Sequence, residues 1–124
     1  MANKWLDVIR GTSAATFTGI TTMFAKLHTG DPGASGATAA AVGDATRKAI
    51  NMTAASGGSH SLTGTAPVWT NGGTSETLSH ISTWDASSAG NFIYSAALTA
   101  TQAWASGNTF TLTALSVTLT PIAA

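Results

Sequence analysis

Three histidines and five carboxylates are the side chains with which this chain could hold a metal ion or transfer a proton. His28, His60 and His80 lie on separate segments, without the close spacing that pairs zinc ligands. Zinc needs three or four converging ligands, so we interpret these histidines as core or surface residues. The sequence therefore predicts no metal site and no cofactor.

The carboxylates include no pair whose spacing would force both side chains onto one catalytic site. Five are enough for a glycosidase dyad assembled in three dimensions, so a small glycan hydrolase is kept as a third hypothesis. Asp31 and Asp85, however, each precede a turn, where aspartate accepts hydrogen bonds from backbone N–H groups. We interpret both as structural and predict that the chain is not an enzyme. The carboxylates are Asp7, Asp31, Asp44, Glu76 and Asp85.

Motifs for nucleophilic catalysis and phosphate binding do not occur in the sequence. There is no cysteine, no Gly-x-Ser-x-Gly elbow and no glycine-rich phosphate loop. The four tryptophans are interpreted as core residues or interface anchors, with a sugar-stacking platform as the minority interpretation. They are Trp5, Trp69, Trp84 and Trp104.

The chain carries very little charge. Its 124 residues have a formal net charge of zero, and 8% of them are charged, compared with about 25% in an ordinary soluble domain. Five scattered cations do not make the basic patch that nucleic acid or an anionic membrane requires, so neither is predicted as a partner. A surface this short of charge suits a protein that is packed into a larger assembly.

Alternating apolar residues predict an all-β fold, a single β-sandwich or small barrel. In the third predicted strand one face carries Leu62, Gly64, Ala66 and Val68. Pro67 indicates that this strand lies at a sheet edge, because proline donates no ladder hydrogen bond. The first five strands are predicted over 22–28, 47–53, 62–69, 77–84 and 91–99. In the first, Met23, Ala25 and Leu27 lie on one face. In the fourth, Leu78 and Trp84 share one parity and Ile81 has the other.

The last apolar run changes parity halfway along its length. Apolar residues fall on even positions over 109–114 and on odd positions over 115–120. A single strand cannot change parity without an extra residue. We therefore predict either a β-bulge at Ala114–Leu115 or a switch of the buried face there.

The first 21 residues are predicted to be an N-terminal helix and arm that precede a β-domain over 22–124. Helical spacing predicts a helix over 3–10, and two turns of helix are not stable unless they dock on something. The candidate assembly contacts are Trp5, Ile9, Phe17 and Ile20. The loop over 29–46 is a second candidate contact, because so long a loop is usually functional or held by a partner.

An ordered series of motifs resembles a family of small phage virion proteins. The segment Leu27-His28-Thr29-Gly30-Asp31-Pro32-Gly33 looks like the Leu-His-Thr-x-Asp-Pro-Gly segment of that family. Arg47, Trp84-Asp85-Ala86 and Gly90-Asn91 follow in the family's order. Members are often labelled tail fibre proteins, and some look like capsid decoration proteins. The resemblance implies a non-enzymatic β-sandwich that assembles on a virion.

Two structural functions are consistent with this resemblance. The first expectation is a capsid decoration protein, a homotrimer that binds the major capsid protein on the outer surface of the head. Such a protein stabilises the shell by binding only its assembled state. The alternative is a tail or tail-fibre component that contacts the host surface. In both cases the protein is made in the host bacterial cytoplasm and ends in the virion.

Overall fold

The computed structural model describes residues 22–52 and 59–118, and within these ranges every regular element is a β-strand. The all-β expectation is confirmed. The predicted N-terminal helix lies outside the described residues. The strands are β1 (Thr22–His28), β2 (Lys48–Met52), β3 (Ser59–Thr63), β4 (Val68–Thr70), β5 (Glu76–Trp84), β6 (Phe92–Trp104), β7 (Thr109–Thr111) and β8 (Ser116–Thr118).

Six strands form one antiparallel sheet in the order β6-β5-β1-β2-β3-β8, and β4 pairs with β7 in a second, small sheet. The alternation predicted for β1 is confirmed. Met23, Ala25 and Leu27 are fully buried on one face, which we call the inner face. The small sheet contributes Trp69 to the same hydrophobic core. The opposite face of the large sheet, which carries His28, is the outer face.

The segment predicted as one strand over 62–69 is two strands that belong to different sheets. β3 ends at Thr63, and Gly64 follows with a φ of 72°, a left-handed conformation that suits glycine and ends the strand. β4 begins after Pro67 and, as an edge strand should, pairs on one side only. In β4 the buried side chain is Trp69, which is fully buried, whereas Val68 is 46% exposed.

The parity change after residue 114 marks a change of sheet. β7 pairs with β4, whereas β8 pairs with β3. Between them Leu112 is buried, and the N–H of Leu62 donates to the carbonyl oxygen of Leu115 at 2.7 Å. The run is therefore two strands with different partners, so a bulge within one strand is wrong.

The β5–β6 hairpin is longer and less regular than predicted, since β6 runs to Trp104 instead of ending at residue 99. Leu78 pairs with Gln102 and His80 pairs with Ala97, so four residues of β6 lie opposite one residue of β5. This bulge breaks the alternation along β5. It accounts for the burial of both Leu78 and Ile81, which have opposite parity.

Candidate functional site

Two connecting segments lie against the outer face of the large sheet. One is the loop over 29–46 between β1 and β2, and the other is the turn over 85–91 between β5 and β6. Five side chains of the sheet meet these segments, and we call them the outer-face cluster. They are His28, Arg47, Ser82, Trp84 and Phe92.

A buried chain of hydrogen bonds runs through the cluster. The indole Nε1–H of Trp84 donates to Ser82 Oγ at 2.8 Å, and Ser82 Oγ lies 2.7 Å from His28 Nε2. His28 Nδ1 lies 2.8 Å from the carbonyl oxygen of Thr38, which can only accept. Nδ1 therefore carries the proton, and Nε2 accepts from the Ser82 hydroxyl. In this series of hydrogen bonds, every donor has an acceptor only while His28 is neutral.

The surroundings of His28 oppose its protonation. Burial lowers the pKa of His28 below its usual 6.5, and the positive charge of nearby Lys26 and the neighbouring His80 lower it further. The hydrogen bond to Thr38 raises the pKa and offsets part of this effect. A second proton on Nε2 would also point at the Ser82 oxygen that already accepts from Trp84. His28 is thus a core histidine, as interpreted from the sequence.

We expect the protein to lose stability as pH falls from 7 to 5. The unfolded chain takes up a proton on His28 near pH 6.5, whereas the folded state resists protonation until a lower pH, so the free energy of unfolding decreases. Urea unfolding at several pH values measures this slope. The variant His28→Asn should show a smaller slope than the wild type. Equal slopes in His28→Asn and the wild type would contradict the prediction.

Arg47 joins the sheet to the turn over 85–91. Its guanidinium lies 3.7 Å from the ring centroid of Trp84, a cation–π distance. It also donates to the carbonyl oxygens of Ala86 at 3.0 Å and Ala89 at 2.6 Å. The Trp84 ring packs in turn on Phe92, with centroids 5.5 Å apart. One charged side chain therefore fixes the position of the turn over an aromatic pair.

The two aspartates interpreted as turn-forming residues have that role. Asp31 Oδ1 accepts from the Gly33 N–H at 2.9 Å, and Asp85 Oδ1 accepts from the Asn91 N–H at 2.6 Å. The Asn91 amide also donates to Asp85 Oδ2 at 2.9 Å. Both carboxylates are therefore used to close turns.

Ala89 stores backbone strain in the turn that Arg47 holds, since its φ of 52° lies in the left-handed region. This region costs a residue with a Cβ about 1–2 kcal/mol. We expect Ala89→Gly to raise the free energy of unfolding by about 0.5–1 kcal/mol, after the greater freedom of glycine in the unfolded chain is subtracted. The control Ala34→Gly changes a residue that has no positive φ, and it should lower the free energy of unfolding slightly. Thermal unfolding of both variants measures these effects. A lower stability of Ala89→Gly than of the wild type would contradict the prediction.

The loop over 29–46 is held by its own domain. The N–H of Thr29 donates to the Ala39 carbonyl at 2.9 Å, and the N–H of Ala41 donates to the Leu27 carbonyl at 3.0 Å. Further along, the Glu76 carboxylate accepts from the N–H of Val42 and, at 2.8 Å, from that of Gly43. The loop therefore needs no partner to hold its path, which removes one reason for regarding it as a contact.

A buried asparagine anchors the neighbouring turn. The Asn71 amide nitrogen donates to the carbonyl oxygens of Thr74 at 2.6 Å and Trp104 at 2.9 Å. Its side-chain oxygen accepts from the N–H groups of Gly73 at 2.9 Å and Thr74 at 3.0 Å. The side chain is 2% exposed and all four of its hydrogen-bonding positions are used.

Metal-binding and membrane-spanning features were also sought in the described residues. These residues contain no group of three His, Cys, Asp or Glu side chains that could hold a metal ion. Nor does any helix in residues 22–52 or 59–118 have the length and apolar character needed to cross a membrane. Trp69, Trp84 and Trp104 are buried, as the core interpretation predicted.

The structure brings together the residues that carry the family resemblance. His28, Arg47, Trp84 and Asp85 lie in or beside the outer-face cluster. The roles of four residues were not predicted, because each has at least one partner that is distant in the sequence. Ser82 meets His28, Phe92 meets Gly36, Glu76 meets Gly43 and Asn71 meets Trp104. The candidate contacts Trp5, Ile9, Phe17 and Ile20 lie outside the described residues.

Comparison with known proteins adds one finding. The family model described as Podophage GP4 fiber I protein gp80 matches residues 1–120, nearly the whole chain. No curated protein matches the chain. The matched range includes all the strands of the described residues.

Proposed function

Because the chain belongs to the podophage GP4 fiber I protein gp80 family, we propose that it is a non-enzymatic subunit of a virion fibre. The protein is a bacteriophage structural protein. The family description names a fibre, and so it supports the tail-fibre hypothesis better than the capsid decoration that was our first expectation. The match over residues 1–120 is the observation that carries this proposal.

The geometry of the polar side chains supports a structural role. His28 binds the loop over 29–46 through Nδ1 and Ser82 of β5 through Nε2, and Asp85 and Glu76 accept backbone N–H groups. Asp44 accepts from Thr46 and pairs with Lys48 at 3.7 Å. Groups engaged in this way hold loops in place and are poorly placed to act on a substrate.

Labelling of the intact phage tests the location of the protein. We expect antibodies raised against this chain, detected by gold particles in electron microscopy, to mark the fibres in a small number of copies. Antibodies against the major capsid protein serve as the control. Labelling spread over the head lattice in hundreds of copies would overturn the fibre proposal and favour capsid decoration.

In this proposal the N-terminal arm attaches the protein to the virion. Its contact residues are Trp5, Ile9, Phe17 and Ile20. The full-length double variant Trp5→Ser with Ile9→Ser should be incorporated into virions at least tenfold less, since loss of an interface hot spot of about 2 kcal/mol weakens binding about thirtyfold. Its circular dichroism should remain that of the wild type. The control Val8→Ser changes a flanking apolar residue and should be incorporated normally. Normal incorporation of the double variant would contradict the role of the arm.

A further inference from the structure

The β6 edge of the large sheet lines a groove. In the described part of the chain, β6 pairs only with β5 and β8 pairs only with β3. Two cavities of about 400 and 380 Å³ lie between β6 and the segment over 109–116, and Thr99 of β6 lines both. Five apolar side chains that pack on the core reach this groove. They are Leu62, Ala96, Leu98, Phe110 and Leu115.

Apart from the bulge opposite Ser79, the β6 edge carries none of the usual protection against strand pairing. Natural proteins block such edges with lysine, proline or inward-pointing charge. No charged residue occurs after Asp85 in the whole sequence, and no proline occurs in β6. The thirteen residues of β6 are far more than the short edge strands that resist pairing. This edge is suited to receiving another strand.

We infer that the groove between β6 and the segment over 109–116 binds residues 11–21 of a second copy of this chain as an added β-strand. This inference rests on the proposed fibre function, which supplies the second copy. Residues 11–21 carry no charge and are mostly Thr, Ala, Ser and Gly, like β6 itself, with Phe17 and Ile20 as the large apolar residues. Extended, eleven residues span about 36 Å and thirteen span about 43 Å, so the segment matches the edge in length.

The position of Thr22 favours a second copy over the same chain. Thr22 pairs with Asn51, and Phe24 two residues later pairs with Trp84, so the arm leaves the sheet at the end where β6 begins. To reach its own groove, the arm would have to cross three strand spacings, about 14 Å, beyond β1. Consecutive Cα atoms lie only about 3.8 Å apart, so residue 21 cannot lie in its own groove while Thr22 stays paired in β1. The arm of a neighbouring copy is not subject to this restraint.

Disulfide trapping in the purified full-length protein tests the inference, because the natural chain has no cysteine. Three double variants combine Thr99→Cys with Ala14→Cys, Thr16→Cys or Thr18→Cys. Under mild oxidation we expect at least one of them to convert most of its chains to interchain dimers or larger species, which disappear on reduction. Controls carry Ala49→Cys, an exposed position on β2, in place of Thr99→Cys.

Each outcome of the trapping experiment decides a separate point. Disulfides formed only within one chain, or none in any pair, would overturn docking between copies. The readout requires no virion, so interchain disulfides together with head labelling would overturn the fibre function alone. Fibre labelling without interchain disulfides would overturn the docking inference alone.

A charge at the groove provides a second measurement. Thr99→Lys places an exposed ammonium on the open edge and should weaken self-association at least tenfold in analytical ultracentrifugation, with unchanged circular dichroism. The matched control Ala49→Lys adds the same charge to an exposed strand position away from the groove. Equal self-association of the two variants would overturn the inference.

Discussion

Replacing Asn71 by aspartate is expected to lower the free energy of unfolding by about 3–5 kcal/mol, the range for a buried charge left without a partner. The Asn71 nitrogen donates to two carbonyl oxygens, those of Thr74 and Trp104. An aspartate oxygen in the same place would face both carbonyls with no hydrogen to offer while ionised. Because a typical domain is stable by about 5–15 kcal/mol, this loss is a large part of the total.

Urea unfolding at neutral pH measures the effect of Asn71→Asp. The control Asn108→Asp makes the same chemical change at an exposed position and should stay within about 0.5 kcal/mol of the wild type. The Asn71→Asp variant should also recover part of its stability at lower pH, because a protonated carboxyl can donate one hydrogen bond. Equal stability of the two variants at neutral pH would show that the Asn71 hydrogen bonds contribute less to the free energy of unfolding than expected.

The second large effect is expected at Gly36, where the loop over 29–46 meets the Phe92 ring. Gly36 has a φ of 72°, and a Cβ at this position would overlap the ring. We expect Gly36→Ala to lower the free energy of unfolding by about 2–4 kcal/mol. The left-handed backbone accounts for about 1–2 kcal/mol and overpacking for about 1–3 kcal/mol, and relaxation around the new methyl group reduces the sum. Thermal or urea unfolding provides the measurement.

Two other glycines separate the causes of the Gly36 effect. Gly107 has a φ of 84° but open space around its Cβ position, so Gly107→Ala should cost only the backbone part. Gly73 also has open space and has no positive φ, so Gly73→Ala should be nearly neutral. Similar losses in Gly36→Ala and Gly107→Ala would mean that Phe92 yields to the added methyl group.

These variants probe the same property of the molecule, the rigid placement of the loops that it carries. His28 and Gly36 hold the loop over 29–46 to the sheet, and Arg47 holds the turn over 85–91. Few charges are needed for this purpose, because backbone groups and neutral side chains supply most of the contacts. The low charge therefore agrees with the proposed structural role, in which the surface is to be covered by other protein.

Local features of the fold were predicted well from the sequence. The alternation in β1 identified Met23, Ala25 and Leu27 as one buried face, because side chains along a strand point alternately to its two sides. The turn-closing roles of Asp31 and Asp85 were also predicted. Each carboxylate accepts from a backbone N–H only a few residues later in the chain, so no distant partner is involved. The parity change near Ala114 lies where the chain passes from β7, which pairs with β4, to β8, which pairs with β3.

Strand boundaries were predicted less well where tertiary pairing overrides the local pattern. The run over 62–69 alternates well enough for one strand, yet Gly64 ends β3 and the chain moves to another sheet. The bulge opposite Ser79 reverses the parity of β5, so that alternation alone assigned Leu78 and Ile81 to opposite faces. Neither feature can be predicted until the partner strand is known.

The sequence by itself determined the all-β class, the turns closed by aspartate, the absence of a charged patch and the resemblance to phage virion proteins. Only the tertiary structure decided that His28 meets Ser82, 54 residues away, and that Arg47 meets the Ala89 carbonyl, 42 residues away. The physical reason is range. Alternation and turn chemistry act between residues close in the chain, whereas buried donors and acceptors find their partners only when distant strands pair.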